Sequence, residues 1–130
     1  MQKLSRLPDT ELEVMKVVWL KGSGVCTSEI KQELDKQRAW NISALQTLLN
    51  RLIERGFLTS YKKGKNKLYN IVVDEQSYLA FENKSFLQKL NENSVTKLVA
   101  SLYNSHCISK KDLEELAQYI EKNTGSDDDV

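Results

Sequence analysis

Proline is nearly absent from this sequence, one in 130 residues, and glycine supplies only five. A collagenous, proline-rich or low-complexity chain is thereby excluded. Cysteine is as scarce: Cys26 and Cys107 lie far apart and outside any Cys-x-x-Cys spacing. Two reduced thiols are expected, with neither a disulfide framework nor a metal site or other cofactor. No stretch approaches the roughly 18 consecutive apolar residues of a membrane span, and Met1 to Leu7 hold no apolar run of signal-peptide length. The expectation is a cytoplasmic protein with no membrane insertion.

Groups suited to catalysis are equally thin. The single histidine, His106, neighbours Cys107, but no third group is indicated that would orient them. A surface histidine beside a part-buried cysteine is the plainer reading. Gly22-Ser23-Gly24 lacks the flanking strand and the later glycine or lysine of a phosphate-binding loop. Glu114-Glu115 reads as a solvated helix face, and Trp19 and Trp40 as packing residues. No catalytic residue is assigned, and the chain is not expected to be an enzyme.

What is present is 40% hydrophobic and 28% charged residues, the balance of a soluble, helix-rich globular protein. Nineteen basic residues nearly cancel eighteen acidic ones, but they are not evenly spread. Through Val73 there are 13 Lys/Arg against 7 Asp/Glu; after it, 6 against 11. A basic first half suits a polyanion such as nucleic acid, and an acidic second half would face away from it. Charges on small domains also segregate by chance, so the patterning of the elements has to decide.

The first periodic segment, about Asp9 to Leu20, puts Leu12, Met15 and Trp19 on one helical face, with Thr10 and Glu13 spaced as a capping box behind Pro8. Gly22 and Gly24 end it. A short amphipathic helix follows Thr27, with Ile30 and Leu34 one turn apart. After a polar joint the third helix carries Leu45, Leu48, Leu49, Leu52 and Ile53 as an apolar stripe and is stopped by Gly56. Then the period changes to alternation. Phe57 to Tyr61 and Leu68 to Val73 read as two strands joined by the lysine-rich segment Lys62 to Lys67.

Helix, short helix, helix and basic hairpin in this order predict a winged helix-turn-helix, whose third helix enters the major groove while the hairpin lies on the backbone. The groove-facing candidates are Ser43, Gln46, Thr47, Asn50 and Arg51: amide and guanidinium groups pair bidentately with base edges, and the Thr47 methyl suits thymine. Lys62, Lys63, Lys65 and Lys67 are the candidate phosphate contacts, which add salt-dependent affinity without reading sequence. The competing reading of the helix face is ordinary solvation, and the adjoining basic hairpin tells against it.

From Asp74 the chain returns to helix, with Leu79, Phe86, Leu87 and Leu90, then Val95, Leu98, Val99, Leu102 and Tyr103 behind a cap at Ser94. A last helix starts at Ser109 with Asp112 in the capping-box place and carries Leu113, Leu116, Ala117 and Ile120. These stripes must bury against something. Pairing with a second copy is expected, since helix-turn-helix proteins usually act as two-fold dimers on palindromic sites, and Leu98, Leu102, Leu113, Leu116 and Ile120 are the interface candidates. The expected fold class is therefore mainly α with a small β-hairpin: a DNA-binding domain over residues 1–73, a helical dimerisation region over 74–123, and a disordered acidic tail over 124–130. Two other functions fit the same elements, a winged-helix protein-interaction module and a repressor released by a small-molecule effector.

The sequence also resembles the penicillinase-repressor family of winged-helix repressors over nearly its whole length. Glu11, Val14, Met15 and Trp19 are similar to the family's first-helix signature. Thr47, Leu48, Arg51, Leu52 and Gly56 resemble its third-helix and turn pattern, and Phe86-Leu87 with Glu114-Glu115-Leu116 its dimerisation half. The resemblance implies a homodimeric repressor of β-lactam resistance genes that binds a palindromic operator containing TACA/TGTA elements. It places Thr47 and Arg51 at DNA. It further implies a membrane sensor system and induction by proteolysis within the first dimerisation helix, at the bond matching Ser101-Leu102. A copper-responsive branch ends in Cys-x-Cys pairs; this chain ends in Gly125-Ser126-Asp127-Asp128-Asp129-Val130, without thiols, which excludes metal sensing.

Overall fold

The computed structural model describes residues 4–125, which divide into two compact units, one through Asn83 and one from Lys84. In the first unit, α1 (Asp9–Lys21) starts directly behind Pro8, with φ −57°, and the Leu12 N–H bonds the Pro8 carbonyl at 2.9 Å. The capping box expected from Thr10 to Glu13 does not form, because the helix begins before Thr10 and has no side-chain cap. Glu13 is engaged elsewhere, by Arg38 at 2.7 Å. The buried face is Glu11, Val14, Met15 and Val18; Leu12 and Trp19, expected beside Met15, are half-buried on its flank.

Gly22 and Gly24 both adopt positive φ, 94° and 92°, so the chain can turn sharply into β1 (Val25–Cys26). The sequence reading had no strand here: two residues carry no period. Then comes α2 (Thr27–Leu34), whose Ile30 and Leu34 are buried as the spacing requires. Its first turn is closed by Glu29, whose Oε1 accepts the Cys26 N–H at 3.0 Å; that bond holds the Glu29 carboxyl below the usual carboxylate range.

The third helix, α3 (Ile42–Glu54), opens on Asn41, whose Oδ1 accepts the N–H groups of Ser43 and Ala44 at 2.8 and 3.2 Å. Leu45, Leu49 and Leu52 are fully buried, with Leu48 and Ile53 packed at the margin of the core. The helix ends in a Schellman motif: Gly56, with φ 84°, bonds the Ile53 carbonyl at 3.0 Å and Phe57 the Leu52 carbonyl at 2.9 Å. That motif delivers Phe57 and Leu58 into the core. Among the described residues the one buried carboxylate, Glu11, is met by Arg55 just past α3, at 2.6 Å from Nε and 3.3 Å from Nη2.

β2 (Leu58–Lys63) and β3 (Asn66–Ile71) pair antiparallel, and β1 adds to the far side of β3, giving the order β1-β3-β2. The lysine-rich segment is not the six-residue loop that its composition suggests. Lys62 pairs with Lys67 and Lys63 with Asn66, so only Gly64 and Lys65 form the turn, and Gly64 takes the positive φ of 65° that a two-residue hairpin of this pattern demands. The register puts Leu58, Tyr69 and Val25 on the core face.

α4 (Glu75–Asn91) begins with Asp74 accepting the Ser77 N–H at 2.7 Å. Its start belongs to the first unit, which ends after Asn83 rather than at Val73. Tyr78 is the reason: its ring is fully buried against Trp19, Phe57 and Phe81, and its hydroxyl accepts the Leu7 N–H at 2.7 Å. Trp19 Nε1 donates to the Val73 carbonyl at 2.9 Å, fixing the same junction.

The second unit comprises the rest of α4, α5 (Val95–Asn104) and α6 (Lys110–Thr124). Ser94 caps α5 through the Lys97 N–H at 3.0 Å, and Ser109 caps α6 in a reciprocal box with Asp112, as their spacing predicts. Thr124, assigned from sequence to the tail, is the last residue of α6; residues 126–130 lie outside the described part. Cys107, expected to be part-buried, is exposed.

Candidate nucleic-acid interface

The five polar residues singled out on α3 stand on one exposed face, opposite the leucines that fix the helix to the core. Ser43 follows the Asn41 cap. Thr47 donates its hydroxyl to the Ser43 carbonyl at 3.0 Å, which holds the side chain in one rotamer and leaves its methyl and an oxygen lone pair available. Gln46, Asn50 and Arg51 make no side-chain hydrogen bond among the described residues, and Arg51 no ion pair. A helix face of unspent donors and acceptors is what base-edge reading needs.

The hairpin meets this face across a groove of about 500 Å³, in which Gln46 of α3 shares walls with Lys65, Asn66 and Lys67 of the hairpin and Thr27 and Ser28 of α2. Lys62, Lys63 and Lys65 are exposed, and Lys67 is half-buried because its ammonium stands 5.7 Å over the Tyr69 ring. None of the four forms an ion pair among the described residues, whereas Lys31, Lys36, Arg38 and Arg55 all do. In the first unit the described basic residues without an ion pair are Lys16, Arg51 and these four lysines, so four of the six stand on the hairpin.

Composition did not single out the α2 wall of the groove, Thr27, Ser28 and Lys31; only the pairing of β1 with β3 brings it there. The Lys31 ammonium at 2.6 Å and the Trp40 N–H at 2.9 Å hold the Asp35 carboxyl below the usual carboxylate range. Asp35 thereby ties the end of α2 to the joint that aims α3.

In the second unit, Leu98, Leu102 and Leu113 are half-buried, while Leu116 and Ile120 are exposed, together with Phe86, Leu90, Val95 and Tyr119. Neither α5 nor α6 has a buried residue. Ser101 and Leu102 lie inside α5, and the Ser101 carbonyl accepts both the N–H and the hydroxyl of Ser105, at 3.0 and 2.8 Å. His106 is exposed, and its side chain makes no hydrogen bond among the described residues. Among the described residues no cluster of histidine, cysteine or carboxylate groups is arranged to hold a metal ion, and no helix is long and apolar enough to cross a membrane.

Fold and site together define a winged helix-turn-helix DNA-binding protein. The sequence profile of the family described as penicillinase repressor matches residues 7–122, and the chain belongs to that family. It is 34% identical over 122 residues to the penicillinase repressor of Bacillus licheniformis, covering 94% of each chain. It is 27% identical over 120 residues to the methicillin resistance regulatory protein MecI of Staphylococcus aureus strain N315, covering 92% of this chain and 97% of that one. The solution structure of the DNA-binding domain of the repressor BlaI superimposes with a TM-score of 0.51 at 42% identity, over 60% of this chain and 94% of that domain.

Proposed function

We propose that this chain is a homodimeric, sequence-specific repressor of β-lactam resistance genes that binds a palindromic operator and is inactivated by proteolysis in its second unit. The observation that carries the DNA-binding part is the groove between α3 and the hairpin, where unspent polar groups adjoin unpaired lysines. In this reading Ser43, Gln46, Thr47, Asn50 and Arg51 face the major groove, and Lys62, Lys63, Lys65 and Lys67 contact phosphates. The polar character of the α3 face disfavours a protein-docking role, which would call for an apolar patch.

Dimerisation is supported by the apolar side chains that the second unit leaves exposed and by the lack of any buried hydrophobic residue among its described residues. Leu98, Leu102, Leu113, Leu116 and Ile120 form the interface. Cleavage between Ser101 and Leu102 would remove most of it. The bond lies within helix, so a protease has to unwind α5 first. A membrane sensor system is the source of the proteolytic signal, and the repressor itself is cytoplasmic.

The test is fluorescence anisotropy of the purified chain with the palindromic duplex upstream of its own gene and with a scrambled duplex, over a salt series. Tight, salt-sensitive preference for the palindrome is the expected result. Equal weak binding to both would refute specific repression at that site. Release of DNA by a small molecule with the chain intact would replace the proteolytic scheme by effector control.

A further inference from the structure

Arg38 lies in the joint between α2 and α3, outside the residues assigned above to DNA. Its guanidinium donates to Glu13 Oε1 at 2.7 Å and stands 4.4 Å over the Trp40 ring. With Thr10, Asn41, Thr47 and Arg51 it lines a recess of about 440 Å³ at the edge of the α3 face, separate from the groove shared with the hairpin. No carboxylate is among the residues lining this recess.

Three features fit the recess to an oxyanion. Two helices begin at its walls: Thr10 is in the first turn of α1, which lacks a side-chain cap, and Asn41 is the N-cap of α3. The two helix dipoles and the uncapped first-turn N–H groups of α1 favour negative charge there, those of Ser43 and Ala44 being taken by the Asn41 side chain. Trp40 also lines the recess; it is only 8% exposed, yet its indole N–H finds no acceptor among the described residues, an uncommon state for a buried donor. Finally, donors predominate on its walls: two guanidiniums, the Thr10 hydroxyl and the Asn41 amide NH2, whose oxygen is spent on capping α3, against the one free lone pair of the Thr47 hydroxyl, whose proton goes to the Ser43 carbonyl. A base edge would ask for acceptors as well, whereas a phosphodiester asks only for donors.

We propose that this recess seats a phosphodiester of the DNA backbone, with Arg38 exchanging the Glu13 carboxylate for the phosphate when DNA binds. The proposal rests on the DNA-binding reading above. The exchange is easy because the Arg38–Glu13 pair is solvent-exposed, side chains 53% and 35%, and such pairs hold weakly. Stacking on Trp40 keeps the guanidinium plane ordered, and its fork matches two phosphate oxygens. A phosphate contact carries no sequence information, so this seat anchors the end of α3 on any duplex.

The test measures anisotropy of the full chain with the palindromic and scrambled duplexes across a salt series. Arg38→Ala is expected to weaken both duplexes by the same factor, about tenfold, and to lower the slope of log affinity against log salt by about one per chain. Arg38→Lys is expected to keep the slope and recover part of the affinity. Glu13→Gln removes the competing carboxylate and is expected to bind both duplexes several-fold tighter. Replacing backbone phosphates one at a time by neutral methylphosphonates locates the seat: one position weakens the wild type and has no effect on Arg38→Ala. Should Arg38→Ala melt early, Arg38→Gln and Glu13→Gln carry the same comparison on an intact fold. A wild-type salt slope in the arginine variants, with every methylphosphonate acting as it does on the wild type, overturns the seat alone and leaves Arg38 a structural partner of Glu13. Failure of the wild type to bind either duplex overturns the DNA-binding reading and the seat together.

Discussion

Arg51 and Lys65 carry the same charge, and their removal should have different consequences. Arg51 is exposed on the α3 face without an ion pair, in reach of a base edge on the proposed reading, so Arg51→Ala should cost about 1 to 3 kcal/mol of operator binding and relax preference at one base pair. Lys65, on the two-residue turn of the hairpin, should on removal weaken all duplexes alike and flatten the salt dependence. Binding to a panel of single-base operator variants separates the two. Tyr78 belongs to stability instead. Burial, with the Glu82 carboxylate nearby, pushes its phenol up to about 12 from an ordinary 10.0. The folded state therefore keeps the proton that the unfolded chain gives up near pH 10; the contribution is whole below that pH and is lost as pH rises towards 12. Urea unfolding between pH 9 and about pH 12 should show the wild type losing stability relative to Tyr78→Phe, although at neutral pH that variant is weaker by about 1 to 3 kcal/mol, the Leu7 N–H having lost its acceptor. Single residues were legible in the sequence where a helical period displayed them, as on α3. Glu11 with Arg55, Arg38 with Glu13, and Tyr78 with Leu7 were not, because each partner comes from a distant part of the chain.

Among the elements, the third helix was legible at its end, since Gly56 is a residue that stops helices by its own chemistry, while its cap, Asn41, read only as part of a polar joint. The hairpin was legible in kind but not in length. Lysines lower expectations for a strand, yet the ladder continues through Lys62 and Lys63 because Gly64 supplies the positive φ that lets β2 turn back within two residues. At the start of α1 the composition misled, since Thr10 and Glu13 have the spacing of a capping box but Pro8 begins the helix too early for them to use it. β1 left no trace at all, being defined by its partner β3. These differences lead to a paired prediction about glycine. Gly56→Ala forces an L side chain into φ 84° at the Schellman turn and should lower stability by about 1 to 2 kcal/mol, read as a shift of the urea midpoint at unchanged slope. Gly64→Ala, with φ 65° and open space around its Cβ, strains only the hairpin tip. It should change the urea midpoint less than Gly56→Ala, while weakening all duplexes alike, because Lys65 would no longer be held where the turn puts it.

At the scale of the whole molecule, the basic excess lies in the first 73 residues and the acidic excess after them, and burial is divided in a similar sense. The first unit holds the buried hydrophobic core, from Leu7 to Tyr78. The second is three helical segments with apolar stripes and, among the described residues, no buried hydrophobic one, so its amphipathic pattern, plain in the sequence, is not used up within one chain. If a second copy covers those stripes, each half-site contact raises the local concentration of the other recognition helix, an advantage of order 10²–10⁴ over a single unit. A chain ending at Ser101 keeps every residue of the first unit but loses Leu102, Leu113, Leu116 and Ile120. It should therefore melt with the same core transition, sediment as a monomer, and bind the palindrome more weakly by about that factor, while binding an isolated half-site as the full chain does. Equal affinity of the truncated and full-length chains for the palindrome would mean that one winged helix suffices for the operator, and that cleavage in α5 cannot be the step that frees it.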